Sequence, residues 1–322
     1  MKNETEKISV NGKTENTSQP QTIEAQPKLQ DLNLSDSFLF GEVMWDEETS
    51  KDVLEIILQE EIRKVVIVNK EQHVDTDPVH KGIRLDIYIR DDKNTIYNVE
   101  MQVKNKYNIP KRSRHYQGVI DTKLLPAGEI DYNKLNNSYV IFICLFDLFD
   151  RNKYCYTFEE RCVEDLSLKL DDGTRKIFLN TKGENKEEVP QELVEFLKLV
   201  ENTNIDQSEL KSEKVRRVHC RVKTVKDSKE VEARYMTMLV HEKEIAMEAR
   251  EEGRAEGRAE GHAGSISIIR KKLNKGYDVT TTADMLEQEP SYIENIYNLL
   301  QNYPEYTDLQ IAEIVLRNGK NL

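Results

Sequence analysis

Two carboxylates and one amide lie at short, regular spacing in the middle of the chain. Asp86 is followed after thirteen intervening residues by Glu100, and Gln102 comes two positions later. Two carboxylates on neighbouring strands can hold Mg²⁺, which prefers oxygen ligands and keeps several of its waters. Such an ion lowers the pKa of a bound water and stabilises charge that develops on a phosphate. The pattern therefore indicates metal-assisted phosphodiester hydrolysis, with Gln102 facing the attacking water or the phosphate.

The elements that carry these residues have the pattern of β-strands. Residues 83–89 and 97–103 alternate apolar and polar side chains, which predicts strands buried on one side. Asp86 lies on the polar face of the first strand. Glu100, Gln102 and Lys104 lie on the polar face of the second. We expect this shared polar face to be solvent surface.

The length of the turn decides whether the two acids share a face. Directly opposed residues of an antiparallel hairpin point to the same side of the sheet, so even-numbered residues must pair with even-numbered ones. The connection then has an odd number of residues, most simply Asp92-Lys93-Asn94 or one residue more at each end. Asn tolerates the left-handed conformation that closes such a loop. The hairpin is predicted to bring both carboxylates within reach of one metal ion.

The elements around the hairpin predict an α/β domain over residues 32–202. The order is helix, strand, hairpin, helix and strand, which fits a mixed sheet flanked by helices. Residues 138–146 form a continuous apolar run, typical of a strand that is covered on both faces. The other predicted elements are helices beginning at Ser35 or Asp36, over 49–61, from Pro110 to before Pro126 and over 190–200, and strands over 62–68, 154–158 and 176–179.

Three further segments flank this domain. Residues 1–31 are polar and predict a disordered tail. Residues 203–264 predict a charged helical segment with a Glu-Gly-Arg-Ala repeat, and residues 265–322 a small helical module. Glycine at every fourth position forms one helical stripe and costs about 1 kcal/mol per residue against Ala. The repeat is either a helix that approaches a partner helix closely or a flexible charged linker.

Several segments together resemble a known nuclease family. They are Leu34–Phe38, Arg84-Leu85-Asp86-Ile87, Val99-Glu100-Met101-Gln102, Lys111–Gln117 and the glycine repeat. Over residues 32–264 the chain resembles the PD-(D/E)XK nuclease superfamily, and more narrowly the Rpn-type recombination-promoting nucleases, also described as PD-(D/E)XK family transposases. The resemblance implies a restriction-endonuclease-like fold and a DNA endonuclease that depends on Mg²⁺, with Mn²⁺ as a substitute. It also implies a link to recombination, mobile elements or phage defence.

The resemblance gives the central residues their expected roles. Asp86 and Glu100 match the metal ligands, and Gln102 stands where the broader superfamily has Lys. A neutral amide can orient water or phosphate but cannot neutralise charge, so Lys104 on the same face is a candidate for the missing cation. The other interpretation of Gln102 is a cross-strand hydrogen bond to Tyr88 or Arg84.

The flanking helices offer further candidates. Asp36, or Glu42 on the same first helix, could be the extra acid that many superfamily members bring from that helix. For Asp36 a role as helix N-cap is an equal alternative. Candidate phosphate contacts are Lys104, Arg112, Tyr116 and Gln117. For Arg112 the alternative is a solvated helix face.

Composition leaves two functions open. A net charge of −12 and the Gln in place of Lys favour a weak or inactive PD-(D/E)XK module that binds DNA or protein as an oligomer. Both acids are present and favour the enzyme, as does the basic segment 104–123, which holds six Lys or Arg and one Asp. The expected partners are DNA and, through the helical segment, a second copy of the chain. Without an apolar signal-peptide core or membrane span, the sequence predicts a cytoplasmic protein.

Overall fold

The computed structural model describes residues 27–74, 83–124 and 128–319. These residues belong to two compact units, Met1–Glu232 and Ala233–Leu322. Most of the predicted tail, residues 1–26, and the residues before the hairpin, 75–82, lie outside the described part. Structure begins slightly earlier than expected, because Leu29 is already buried in a short 3₁₀ turn.

A six-stranded mixed sheet flanked by helices forms the first unit. Its strand order is β1-β2-β3-β4-β6-β5; β3 is parallel to β4, β4 is parallel to β6, and the other pairs are antiparallel. The predicted fold class is confirmed. The elements are α1 Ser37–Met44, α2 Glu47–Leu58, β1 Val65–Val74, β2 Ile83–Asp91, β3 Ile96–Gln102, α3 Ile109–Leu124, β4 Ser138–Cys144, β5 Cys155–Phe158, β6 Thr174–Asn180, α4 Gln191–Glu201 and α5 Glu213–Lys226.

Local capping sets the ends of the first helices. The Asp36 carboxylate accepts hydrogen bonds from the N–H groups of Phe38 and Leu39, at 3.0 and 3.2 Å, so α1 begins where predicted. Asp46 accepts from the N–H of Thr49 at 2.9 Å. That cap begins α2 two residues before its predicted start, because the sequence interpretation overlooked Asp46 as a capping residue.

The hairpin has the register that brings the two acids together. Even-numbered residues of β2 face even-numbered residues of β3, as in the pair Tyr88 and Asn98. Continuing this register places Asp86 opposite Glu100. The turn is the predicted three-residue loop, residues 92–94, because the N–H of Asp91 donates to the carbonyl of Thr95 at 3.1 Å.

Asn94 closes this turn in the left-handed conformation, with φ of 64°. We expect Asn94→Val to lower the free energy of unfolding by about 1–2 kcal/mol, because a β-branched side chain strains that backbone. Asn94→Gly should leave it within about 0.5 kcal/mol of the wild type. Urea denaturation of the three proteins measures the difference. Equal losses in both variants would show that the side chain, rather than the backbone conformation, stabilises the turn.

The polar face of β3 is buried, contrary to the expectation of solvent surface. Asn98, Glu100 and Gln102 are 0%, 1% and 8% exposed. β3 is an interior strand, and α3 packs over its even-numbered face beside Phe142 of β4 and Tyr116. The alternation of apolar and polar residues was identified correctly. That α3 covers the polar face cannot be inferred from the sequence of the strand alone. The acid pair is therefore sheltered by α3.

The second unit is helical. Its elements are α6 Lys229–Asn274, which begins at the end of the first unit, α7 Val279–Leu286, α8 Pro290–Asn302 and α9 Asp308–Gly319. The glycine repeat lies inside α6, so the linker interpretation is wrong. Buried residues from all four helices share one core: Ile266, Ile269, Ala283, Ile293, Ile296, Tyr297, Leu300, Ile311 and Ala312. Within the described ranges, no helix is long and apolar enough to cross a membrane.

Candidate active site

The hairpin backbone holds both central carboxylates in place. The N–H of Asp86 donates to Oε1 of Glu100 at 3.1 Å, and the N–H of Met101 donates to Oδ2 of Asp86 at 3.1 Å. Each carboxylate thus bonds to the backbone of the opposite strand. Because two strands position them reciprocally, the acids form a rigid pair rather than two independent surface groups.

Glu100 lies in an environment that disfavours its negative charge. Burial, and then the nearby charge of Asp86, raise the pKa of the Glu100 carboxyl group well above its usual range. Hydrogen bonds from the N–H of Asp86 and from Asn98, and the charge of Arg112, oppose this shift but only in part. Burial and the charge of Asp86 therefore outweigh the groups that favour the charged form of Glu100.

Arg112 of α3 is the cation that reaches the acid pair. Its guanidinium donates to Oε2 of Glu100 at 3.2 Å, to Oε1 of Gln102 at 2.7 Å and to the hydroxyl of Tyr116 at 2.9 Å. It also lies 5.3 Å from the ring centre of Tyr116 and 5.4 Å from that of Phe142. Rather than a solvated helix face, Arg112 occupies a bonded position between α3 and β3.

Gln102 connects Arg112 to the end of β3. Its amide nitrogen donates to the carbonyl of Lys104 at 2.8 Å, while its amide oxygen accepts from Arg112. These bonds differ from the alternative of a bond to Tyr88 or Arg84. Both ends of the amide are held, so Gln102 orients the guanidinium at the point where the superfamily has a lysine.

The remaining predicted residues lie in other arrangements. The backbone carbonyl of Lys104 accepts a hydrogen bond from Gln102. Lys104 itself is exposed and lies beyond the end of β3. Gln117 donates to Asp121 and to Ser138, towards the start of β4.

Neither acid of α1 joins a metal-ligand cluster. Asp36 caps α1, and Glu42 forms an ion pair with Lys70 of β1. Across the residues that the structure describes, no group of three or more His, Cys, Asp or Glu side chains could hold a metal ion. An extra acid from α1 remains a prediction.

Asn98 is a site residue that the sequence interpretation missed. Its side chain is fully buried, and its amide nitrogen donates to Oε1 of Glu100 at 3.1 Å. The signal was present, because Asn98 has the same parity on β3 as Glu100 and Gln102. Its amide oxygen is buried without a hydrogen-bond partner among the described residues. Asn98 fixes the orientation of the Glu100 carboxylate.

The donor set fits a divalent metal ion. Asp86 and Glu100 supply oxygen ligands on facing strands, and Mg²⁺ is commonly bound by one or two carboxylates together with water. The raised pKa of Glu100 also fits a metal site. A cation beside the pair would reduce the repulsion between the two carboxylates, which burial strengthens.

The family of the chain follows from a match to a known protein family. A family model described as PD-(D/E)XK nuclease family transposase matches residues 38–249. The chain belongs to this family. The match includes the whole sheet, α3 and the first half of α6, and therefore every residue of the acid pair and its cover. No curated protein and no solved structure matches the chain.

Membership in the PD-(D/E)XK nuclease family supports a function of the nuclease type and the use of a divalent metal ion. It also implies DNA as the partner. The family match covers the hairpin and the basic helix and confirms the resemblance there, whereas the glycine repeat lies beyond residue 249.

Proposed function

We propose that this chain is a metal-dependent endodeoxyribonuclease that hydrolyses phosphodiester bonds in DNA. The observation that carries the proposal is the reciprocal bonding of Asp86 and Glu100 across the β2–β3 hairpin, beneath a helix that brings a cation to the same point. A pair held this way has the rigidity that a metal site needs.

Mg²⁺ is the proposed metal, with Mn²⁺ as a substitute, and Asp86 and Glu100 would hold it. When bound, the ion would supply an activated water at neutral pH and a Lewis acid for the phosphate oxygens. Asn98 keeps Glu100 in its ligating orientation. Gln102 holds Arg112 in place, so that the guanidinium offers its positive charge to the phosphate beside the acids.

The surface around the site supports DNA as the substrate despite the acidic chain. Lys104, Lys106, Lys111 and Arg114 are exposed in the loop that precedes α3 and along the helix itself. Basic side chains arranged in such a row can contact successive phosphates of a DNA backbone. Net charge matters less than this local basic segment, because phosphate contact depends on the charges nearest the strand.

The family description supports a setting in recombination or in the movement of mobile elements, and phage defence is the further setting that we include. We also propose self-association through the helical segment, which would bring two acid pairs to one duplex. The alternative function is a weak or inactive module that binds DNA or protein. The neutral amide of Gln102, where the superfamily has a lysine, and the net charge of −12 favour it.

Plasmid nicking tests the proposal against the alternative. We expect supercoiled plasmid to be nicked with Mg²⁺ or Mn²⁺, to remain intact with EDTA, and to be nicked again when excess Mg²⁺ is restored. Binding of a labelled duplex is measured in the same buffers. Plasmid that stays intact under all conditions while the duplex is bound would establish the binding module and reject the nuclease.

A further inference from the structure

Part of α6 is a helix without any intramolecular packing. Residues 240–258 are all exposed, which corresponds to about five turns. A helix that buries no face depends on its own propensity, and each glycine of the repeat weakens it by about 1 kcal/mol relative to Ala. Stable helices of this kind usually bury a face against another element. The exposed segment therefore lacks a partner within the described chain.

Most charged side chains of the repeat lack an oppositely charged neighbour along the helix. Side chains interact along a helix at spacings of three and four residues. From Glu252 to Gly261, each acid meets another acid four residues later, as Glu256 meets Glu260. Each Arg likewise meets Arg or His at that spacing, and at three residues the neighbours within the repeat are Gly or Ala; Glu251, just before the repeat, lies three residues from Arg254. Like charges at this spacing are destabilising, so the repeat is poorly suited to a solitary helix.

The same repeat divides the helix surface into four stripes. Residues four apart are offset by only about 40° around the axis, so each residue type keeps to its own side. The glycine stripe lies between an arginine stripe on one flank and a glutamate stripe on the other, with alanine behind. In the alanine stripe Ala259 is buried and Ala263 packs on the core of the helical module.

The glycine stripe is the free side. A Cβ built at Gly253, Gly257, Gly261 or Gly264 would meet no described atom within 4 Å. A cavity of about 630 Å³ opens beside the end of this stripe, between α6 and the α7–α8 pair, and Gly261 and Ile268 belong to its lining. A second helix can therefore approach the backbone of α6 closely along this side.

We propose that the glycine stripe of α6 binds the same stripe of a second copy of this chain, with the two helices parallel and in register. This deepens the self-association part of the proposed function. Symmetry selects the orientation. A twofold axis parallel to the two helices places the left flank of one copy beside the right flank of the other. The arginine flank of each copy therefore faces the glutamate flank of its partner on both sides of the contact. In an antiparallel pair arginine would face arginine and glutamate would face glutamate.

The parallel arrangement places Arg254 and Arg258 beside Glu256 of the second copy. These intermolecular pairs replace the like-charge contacts within each helix. Glycine at the centre lets the two backbones come close enough for the charged side chains to reach across. The partner is thus a second copy, because the flanks are complementary to themselves in this one orientation.

The first test inserts a side chain into the proposed contact. Gly257→Leu should weaken the dimer at least about 10-fold in sedimentation equilibrium of the full chain, because the new side chain separates the two backbones. Ala255→Leu is the matched control, since Ala255 is exposed on the opposite side of the same turn. Leu favours helix much more than Gly and nearly as well as Ala, so loss of helix cannot explain a weakened dimer.

The second test determines orientation by disulfide formation. Gly253→Cys, Gly257→Cys and Gly264→Cys are oxidised separately, with the wild type and its four native cysteines as background. In a parallel pair every position lies beside its own equivalent, so all three variants should cross-link. In an antiparallel pair only a position near the twofold axis can do so.

Three results would overturn the proposal: a wild-type monomer at tens of micromolar, a Gly257→Leu dimer as tight as the control, or cross-linking at a single position. These outcomes are independent of catalysis. A protein that nicks DNA as a monomer refutes only the helix pairing, and an inactive dimer refutes only the nuclease.

Discussion

Asp86→Asn should reduce metal-dependent plasmid nicking by at least about 100-fold, because the loss of one ligand removes several kcal/mol of stabilisation supplied by the metal ion. The substitution keeps the size of the side chain and the oxygen that accepts from the N–H of Met101. The fold should therefore survive. We also expect Mg²⁺ to raise the melting temperature of the wild type and to leave that of Asp86→Asn unchanged.

Asp92→Asn is the matched control for this prediction. Asp92 lies in the turn of the same hairpin, is exposed, and pairs with Arg63 at 3.2 Å rather than with the acid pair. Nicking by Asp92→Asn should equal that of the wild type. If Asp86→Asn and Asp92→Asn cut equally well, the activity is a contaminant or the metal site lies elsewhere.

Arg112→Met should lower the free energy of unfolding by about 1–3 kcal/mol in the absence of metal, and Mg²⁺ should recover most of the loss. The substitution removes the charged hydrogen bonds to Glu100, Gln102 and Tyr116. The loss stays below that of a fully buried ion pair, since the arginine side chain is 28% exposed. A divalent ion supplies positive charge at the same carboxylate, so it should stabilise the variant more than the wild type.

Arg114→Met provides the comparison, because Arg114 is an exposed residue of the same helix. Its free energy of unfolding should remain within about 0.5 kcal/mol of the wild type, with or without Mg²⁺. Urea denaturation at two Mg²⁺ concentrations measures both variants. An Arg112→Met protein that Mg²⁺ stabilises no more than the wild type would mean that arginine and metal do not share the site.

The hairpin shows why part of the site could be predicted from sequence. Side chains alternate with period two in a strand, so the parity of Asp86 and Glu100 limits the loop to an odd length. Asn94 then identifies the three-residue turn, since its left-handed conformation is rare for most other residues. Strand register and turn conformation are local properties, and fewer than twenty consecutive residues determine both.

The cover of the site could not be predicted in the same way. Asn98, Glu100 and Gln102 have the polarity of a solvent face, yet α3 buries them, and nothing in β3 specifies which helix packs there. Lys104 was considered as the site's cation because its parity matches. The strand ends at Gln102, however, and Arg112 reaches the acids instead. Contacts between distant elements depend on tertiary packing, which periodicity does not encode.

The two halves of the site differ in how much chain must be ordered to build them. A tight turn alone brings Asp86 to Glu100, whereas Arg112 arrives on the crossover that links β3 to its parallel neighbour β4. The separations along the chain are similar, fourteen residues from Asp86 to Glu100 and twelve from Glu100 to Arg112, but the hairpin closes from its own turn whereas α3 needs a sheet on which to pack. We therefore expect the acid pair to assemble before its arginine during folding. A metal ion could then enter an open, charged hairpin, and α3 would close over a site that is already loaded.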